Sequence, residues 1–313
     1  AFFIAINFGS QTLSPGLLVS FVGYLGLFYQ PLNNLSNYVQ QLSIASSNLE
    51  RIFETMDTPP SITDREDAYD LPEIEGNVKF ENVTFAYEKG INILENFNLE
   101  VPAGKTIALV GSTGAGKTTI VNLLSRFYEP TGGRVLIDGH DISKVKLHSL
   151  RTQVCVMMQD SFVFSGTIMQ NIKYARPDAT DEECINAAKA ANFHEYIMKY
   201  PDGYNYVLGE KGTGLSSGEI QLLSFARTIL CNPKILILDE ATSSVDTQTE
   251  IKVQEALEHI LKNRTSFIIA HRLSTIQKAD CILYIGSKGI LEAGSHDELM
   301  AKHGTYYKLQ TKN

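Results

Sequence analysis

No Asp, Glu, Lys or Arg occurs before Glu50, whereas the rest of the chain is charged at ordinary density. So long a charge-free run is hard to place in a water-soluble fold, where charges normally cover the outer face of every helix. Within it, residues 13–32 are dominated by Leu, Val, Phe, Tyr and Gly, matching the ~20 residues that a helix needs to cross a ~30 Å hydrocarbon layer. Ser14 followed by Pro15 suits a helix start, with a capping side chain and then a proline where no N–H is needed. Helical character continues past Pro31 to about Met56, and ~42 residues at ~1.5 Å each give ~63 Å, so the helix should project well beyond the bilayer. Asn33, Asn37, Gln40, Gln41 and Asn48 recur at helical spacing, which suggests a face turned toward other helices or a wet cavity. The alternatives are a buried helix of a soluble protein, opposed by the missing charges, and an isolated anchor, opposed by the polar positions. Residues 1–8 are too short to span and read as the end of a preceding helix.

The chain begins at Ala1 with no basic segment ahead of its apolar stretch, which argues against a secretory signal and reads as the C-terminal part of a longer protein. Its 313 residues allow one large or two modest domains. A net charge of -8 gives no basic field to gather a polyanion, so no nucleic-acid partner is expected. Cys155, Cys184, Cys231 and Cys281 lack metal-ligand spacing and read as reduced thiols of a cytosolic domain.

Residues 57–76 turn to Pro, Asp, Glu and Thr, including Pro59-Pro60, as a surface linker does. Segments 78–87 and 93–101 alternate as strands, 106–110 is a short apolar strand, and 116–127 follows as a helix. Further buried strands read at 235–238, 266–270 and 281–285, with a mainly helical insert between Pro177 and Ala226; the pattern implies an α/β layer fold.

Gly111-Ser112-Thr113-Gly114-Ala115-Gly116-Lys117-Thr118 matches the phosphate-binding loop of P-loop NTPases in full, after a strand and at a helix start. Its glycines let backbone N–H groups turn toward phosphate oxygens at the positive end of the helix. Lys117 would reach the β- and γ-phosphates of ATP, and the Thr118 hydroxyl would ligate Mg²⁺. The apolar strand ending in Asp239-Glu240 puts two carboxylates at the ligand-binding edge of the sheet, Asp239 to hold Mg²⁺ through water and Glu240 to polarise the attacking water.

With Leu215-Ser216-Ser217-Gly218-Glu219 directly before a helix, residues 78 to about 310 resemble the nucleotide-binding domain of ATP-binding cassette (ABC) transporters, and residues 1–56 resemble the last transmembrane helix of an exporter half. The expected fold is an α/β P-loop NTPase domain with a helical subdomain insert, preceded by a transmembrane helix. The expected divisions are 1–56, a linker 57–76, and the ATP-hydrolysing domain 77–313. Other matches follow the family's order: Tyr87 for the aromatic that stacks on adenine, Thr119 beside the loop, Gln159 for the Q-loop and as a Mg²⁺ ligand, Ser243-Ser244-Val245-Asp246 for the D-loop, and His271 for the switch histidine. Gly209-Glu210-Lys211-Gly212 resembles a segment characteristic of exporters.

The resemblance implies an integral membrane protein with its ATPase domain in the cytoplasm. Two cassettes would close head to tail over two ATP molecules, Ser216 and the Gly218 backbone donating to a γ-phosphate held by the partner while His271 contacts the γ-phosphate on its own side. Two departures from the family's Leu-Ser-Gly-Gly-Gln are Ser217 for glycine and Glu219 for glutamine. A carboxylate ~6 Å or more from phosphate charge, at an effective dielectric of ~20, would cost up to ~3 kcal/mol before screening. An altered signature beside intact Glu240 and His271 resembles one half of a heterodimeric exporter, so a different partner half is expected over a homodimer.

Overall fold

A computed structural model describes residues 15–88, 90–158, 162–209, 212–239, 247–270, 273–286 and 288–311. The Ser14 cap, the helix end expected over 1–8, Gln159, Glu210, Lys211, Glu240, the D-loop from Ser243 to Asp246, and His271 lie outside the described residues. The described chain divides at Ser61 into two compact units.

The first unit is one α-helix, α1, running over Pro15–Met56 for 42 residues and passing through Pro31. Proline there removes the donor that would reach the Leu27 carbonyl. Ser20 and Ser36 donate their hydroxyls back to the carbonyls of Gly16 and Leu32, at 3.0 and 3.2 Å, so neither needs water. None of α1 is buried, and Phe21, Leu27, Phe28, Leu35 and Leu42 are exposed. Among the described residues it is the helix long and apolar enough to cross a membrane. At roughly 100° per residue, Asn33, Asn37, Gln40, Gln41 and Asn48 fall within an arc of about 100°.

In chain order the strands of the second unit are β1 (Val78–Phe85), β2 (Leu94–Val101), β3 (Thr106–Val110), β4 (Gly132–Ile137), β5 (His140–Asp141), β6 (Val154–Met157), β7 (Gly166–Thr167), β8 (Val207–Leu208), β9 (Ile235–Asp239), β10 (Thr265–Ile269), β11 (Cys281–Gly286) and β12 (Gly289–Gly294). Its helices are α2 (Lys117–Leu124), α3 (Leu147–Gln153), α4 (Ile168–Lys173), α5 (Asp181–Ala190), α6 (His194–Ile197), α7 (Ser217–Cys231), α8 (Thr247–Leu261), α9 (Leu273–Gln277), α10 (His296–Ala301) and α11 (Thr305–Thr311).

The larger sheet has the order β12-β11-β3-β10-β9-β6, parallel from β11 to β6 and closed by the antiparallel β12. Its central strands are buried on both faces, as parallel strands covered on two sides must be. Period-two alternation divides their side chains. Ile107, Leu109, Ile235, Ile237, Phe267 and Ile269 pack with α2 and the antiparallel sheet β2-β1-β4-β5. Ala108, Val110, Leu236, Leu238 and Ile268 face the other core, with side chains from α5, α7 and α8.

Between β6 and β9 the chain leaves the sheet through α4, α5, α6 and α7, with β7 and β8 paired within the excursion. This is the insert expected from the sequence, although it starts earlier, at α4. The antiparallel sheet is larger than the sequence pattern indicates, because β4 and β5 join the first two strands.

The segment read as a surface linker is docked over its second part. Leu71 and Ile74 are buried. The Leu71 N–H donates to Ser149 Oγ at 2.9 Å and the Ile74 N–H to Gln153 Oε1 at 3.0 Å. Tyr69 forms a parallel bridge with Val145. Asp138 accepts from the backbone of Glu75, Gly76 and Asn77. Burial alone would raise its pKa, but these donors and the Asn77 amide hold it below the ordinary carboxylate value. Arg126, just past α2, is buried and donates to the carbonyls of Val145 and Thr63 at 2.7 and 3.2 Å while pairing with Glu129.

Candidate functional site

Strand β3 ends at Val110, and the chain then turns through Gly111 into α2. Gly111 has φ +149°, and a Cβ there would lie 2.3 Å from the Ile285 carbonyl oxygen on the neighbouring β11. Only glycine fits, both for its backbone conformation and for the close approach. Gly111→Ala is therefore expected to destabilise the domain by about 2–4 kcal/mol, read as a lowered thermal midpoint.

Helix α2 begins after Gly116, whose φ of +104° is left-handed and which supplies no side-chain cap. The first N–H groups of α2 thus have no capping partner, and they collect the positive end of the helix at the loop. Ser112, Thr113, Gly114 and Thr118 are exposed, Ala115 and Lys117 are half-buried, and Thr119 is buried. The Lys117 ammonium donates to the Gly111 and Ser112 carbonyls at 2.7 and 2.9 Å, spanning the loop. Burial lowers its pKa, and the Asp239 carboxylate opposes that shift. Asp239 ends β9, paired in register with Ile269 of β10, so the two predicted site residues approach across the sheet's C-terminal edge. The exposed Thr118 hydroxyl and the Asp239 carboxylate are hard oxygen donors of the type Mg²⁺ takes.

Tyr87 lies beyond β1 and is anchored to α2. Its hydroxyl is 3.2 Å from Thr119 Oγ1, and Asn122 Nδ2 donates to it at 3.4 Å. Edge-on contacts to Phe85 and Tyr128, at 4.8 and 5.0 Å between centroids, fix the ring while leaving it 47% exposed. That leaves room for a flat base to stack. Thr119 is therefore a support for Tyr87.

The Ser216–Glu219 stretch sits in the helical insert at the start of α7. Ser216 caps the helix, accepting from the Glu219 N–H, while the Glu219 side chain accepts from the Ser216 N–H. Ser216 and Ser217 are exposed, whereas Gly218 is buried. The serines are thus the more exposed of the residues that the resemblance assigns to the partner's nucleotide. Among the described residues, no hydrogen bond or ion pair joins this stretch to the phosphate loop.

Sequence reasoning missed a clamp behind that helix. Arg227 of α7 donates to the Phe162 carbonyl at 2.6 Å, to the Asn171 carbonyl at 2.7 Å and to Asn171 Oδ1 at 2.7 Å. Asn171, buried, in turn holds both the N–H and the carbonyl of Phe164. The segment just after Gln159 is thereby tied to the signature helix. A buried amide and a half-buried guanidinium on otherwise apolar helix faces are the signal, but it emerges only once the chain between them, which separates them by 56 positions, is folded.

The ABC transporter family model matches residues 94–243. The chain is 46% identical over 297 residues to the uncharacterised ABC transporter ATP-binding protein YknV of Bacillus subtilis, covering 95% of this chain and 49% of that one. It is 46% identical over 301 residues to the ATP-dependent lipid A-core flippase of Syntrophus aciditrophicus, covering 96% and 50%. The fatty acid ABC transporter ATP-binding/permease protein of Mycobacterium bovis is 45% identical over 297 residues, covering 95% and 47%. A solved bacterial Atm1-family ABC exporter with ATP bound superposes with a TM-score of 0.79 at 39% identity, over 97% of this chain and 53% of that one. The chain thus spans about half the length of the curated relatives it matches. Fold, phosphate loop and likenesses agree: this chain carries an ATP-binding domain of the ABC transporter family, preceded by a long apolar helix.

Proposed function

We propose that this chain is the ATP-hydrolysing part of an ABC-type exporter half, with α1 as its last membrane-crossing helix and the ATP-binding domain in the cytoplasm. The observation that carries the reading is the split of the site. A loop fit for phosphate lies with Lys117 and Asp239 at one sheet edge. The exposed Ser216 sits at another helix start and, among the described residues, has no bond to that loop. Such a helix start is fit to meet a triphosphate presented by a second cassette.

In this reading the α2 backbone and Lys117 bind the phosphates, and Tyr87 stacks on the adenine. Thr118, Asp239 and Gln159 hold Mg²⁺, which when bound neutralises phosphate charge. Glu240 polarises the attacking water, and His271 contacts the γ-phosphate. Ser216 and Ser217 face the partner's nucleotide, with Ser244 and Asp246 of the D-loop between the two sites. ATP binding closes the cassettes, and loss of the γ-phosphate lets them part, a motion that drives alternating access in the membrane helices.

The partner is a second half-transporter, and the altered signature favours a different chain over a second copy. Purification of the full-length protein from its native membrane is expected to bring down a second half with a regular signature; self-dimers with full turnover would refute the pairing. Reconstituted in vesicles, the complete complex is expected to hydrolyse MgATP at a rate stimulated by its cargo, screened across lipids, peptides and drug-like amphiphiles. A freely water-soluble full-length protein, or one that does not retain MgATP, would overturn the proposal as a whole.

A further inference from the structure

The hydroxyl of Ser216 has one hydrogen, and its surroundings determine where that hydrogen points. Its oxygen accepts the Glu219 N–H at 3.3 Å and lies 2.8 Å from Glu219 Oε2. The carboxylate carries no hydrogen when ionised, so the proton in that O···O contact is the serine's. The same Oε2 accepts the Ser216 N–H at 2.8 Å. The other oxygen, Oε1, is 3.2 Å from the Tyr200 hydroxyl, whose single hydrogen is shared between that oxygen and the Gly214 carbonyl at 2.8 Å. Tyr200 is itself held by its ring, stacked on Tyr206 at 4.6 Å. Burial and the adjacent Glu219 carboxylate push the Tyr200 pKa up to about 12, so the phenol keeps its proton.

We propose that Glu219, steadied by Tyr200, is a positioning latch that turns the Ser216 hydroxyl hydrogen inward, away from the nucleotide of the partner cassette. The inference rests on the reading that Ser216 meets that nucleotide. For Ser216 to donate to a phosphate oxygen, the hydrogen must leave a charge-assisted bond. A glutamine in the same place presents a neutral amide oxygen, a weaker acceptor, and releases the hydrogen more readily. The substitution of Glu219 for glutamine therefore acts through the serine as well as through charge. It makes this chain the weaker signature partner, so that closure over the other half's ATP needs more nucleotide.

The test uses the full-length complex in lipid nanodiscs, with Glu240→Gln in this chain and the corresponding substitution in its partner to suspend hydrolysis at both nucleotides, and reads the MgATP concentration for half-maximal closure from the distance between spin labels on the two cassettes. Glu219→Gln is expected to lower that concentration by about 5- to 10-fold. Tyr200→Phe, which removes the donor to Oε1, is expected to lower it by about 2-fold. In a Ser216→Ala background the Glu219→Gln effect should shrink to the part carried by charge, because the hydroxyl through which the latch acts is gone.

A Glu219→Gln effect that persists unchanged in Ser216→Ala would assign the effect to charge alone and overturn the latch. So would a silent Glu219→Gln beside a Ser216→Ala that weakens closure, an outcome that leaves the two-cassette reading standing. If Ser216→Ala does not alter closure even in the Glu219→Gln background, where the hydrogen is released, Ser216 does not meet the nucleotide, and the reading fails together with the latch.

Discussion

Replacing Glu240 by glutamine is expected to leave ATP binding intact and to slow hydrolysis by about 10²- to 10⁴-fold, the range a positioned general base contributes. β9 is buried along Ile235, Leu236, Ile237 and Leu238 and ends with Asp239 at the C-terminal edge of the parallel sheet. Asp239 lies close enough to Lys117 to oppose its desolvation, and the role of base is assigned by the family resemblance to the residue that follows it in sequence. Glutamine keeps the size of the side chain and removes its basicity, which separates the chemical step from binding. The check is a pair of measurements on the full-length complex: nucleotide affinity by titration, and single-turnover phosphate release. Turnover that survives nearly unchanged would remove Glu240 from the role of base.

Lys117→Ala is expected to act earlier, weakening ATP binding itself by about 10- to 100-fold, the worth of a charge-assisted hydrogen bond. Its ammonium spans the loop between two carbonyls, so its loss removes both a positive charge and a tie that shapes the cradle. The uncapped backbone donors of α2 remain, and they account for residual affinity. Direct titration distinguishes the two variants, since Glu240→Gln should bind as the native protein does. An alanine variant that binds ATP with native affinity would place the triphosphate elsewhere.

What the sequence discloses about this site is what lies within a few residues along the chain. The phosphate loop is contiguous and flanked by a strand and a helix, so its role is readable from residues 106–124 alone. The buried parallel strands at 235–238 and 266–269 are readable because both faces are apolar. β4 was not, since Gly132, Gly133 and Arg134 open it and only its last three residues are buried. β6 was not, at four residues long.

The Tyr200 contact to Glu219 spans 19 residues and the Arg227 contact to Asn171 spans 56. No periodicity announces either. Glu219 shows a different limit. Read as a departure from a family signature, it looks like an isolated negative charge. Read as the fourth member of Ser-x-x-Glu, it is the reciprocal half of a helix cap, and the second reading describes where its oxygens lie.

The stretch between α1 and β1 bears on how the two units can be exchanged. Prolines and acids give it the composition of a tether, yet from Thr63 onward it is bonded to residues 60 to 80 positions away. Residues 57–62 make no such bond among those described. A chimera that grafts this ATPase onto a foreign membrane portion would keep its hydrophobic interior whole if joined at 61. Joined at 76, it would strip Leu71 and Ile74 from that interior and leave the guanidinium of Arg126 facing a missing carbonyl.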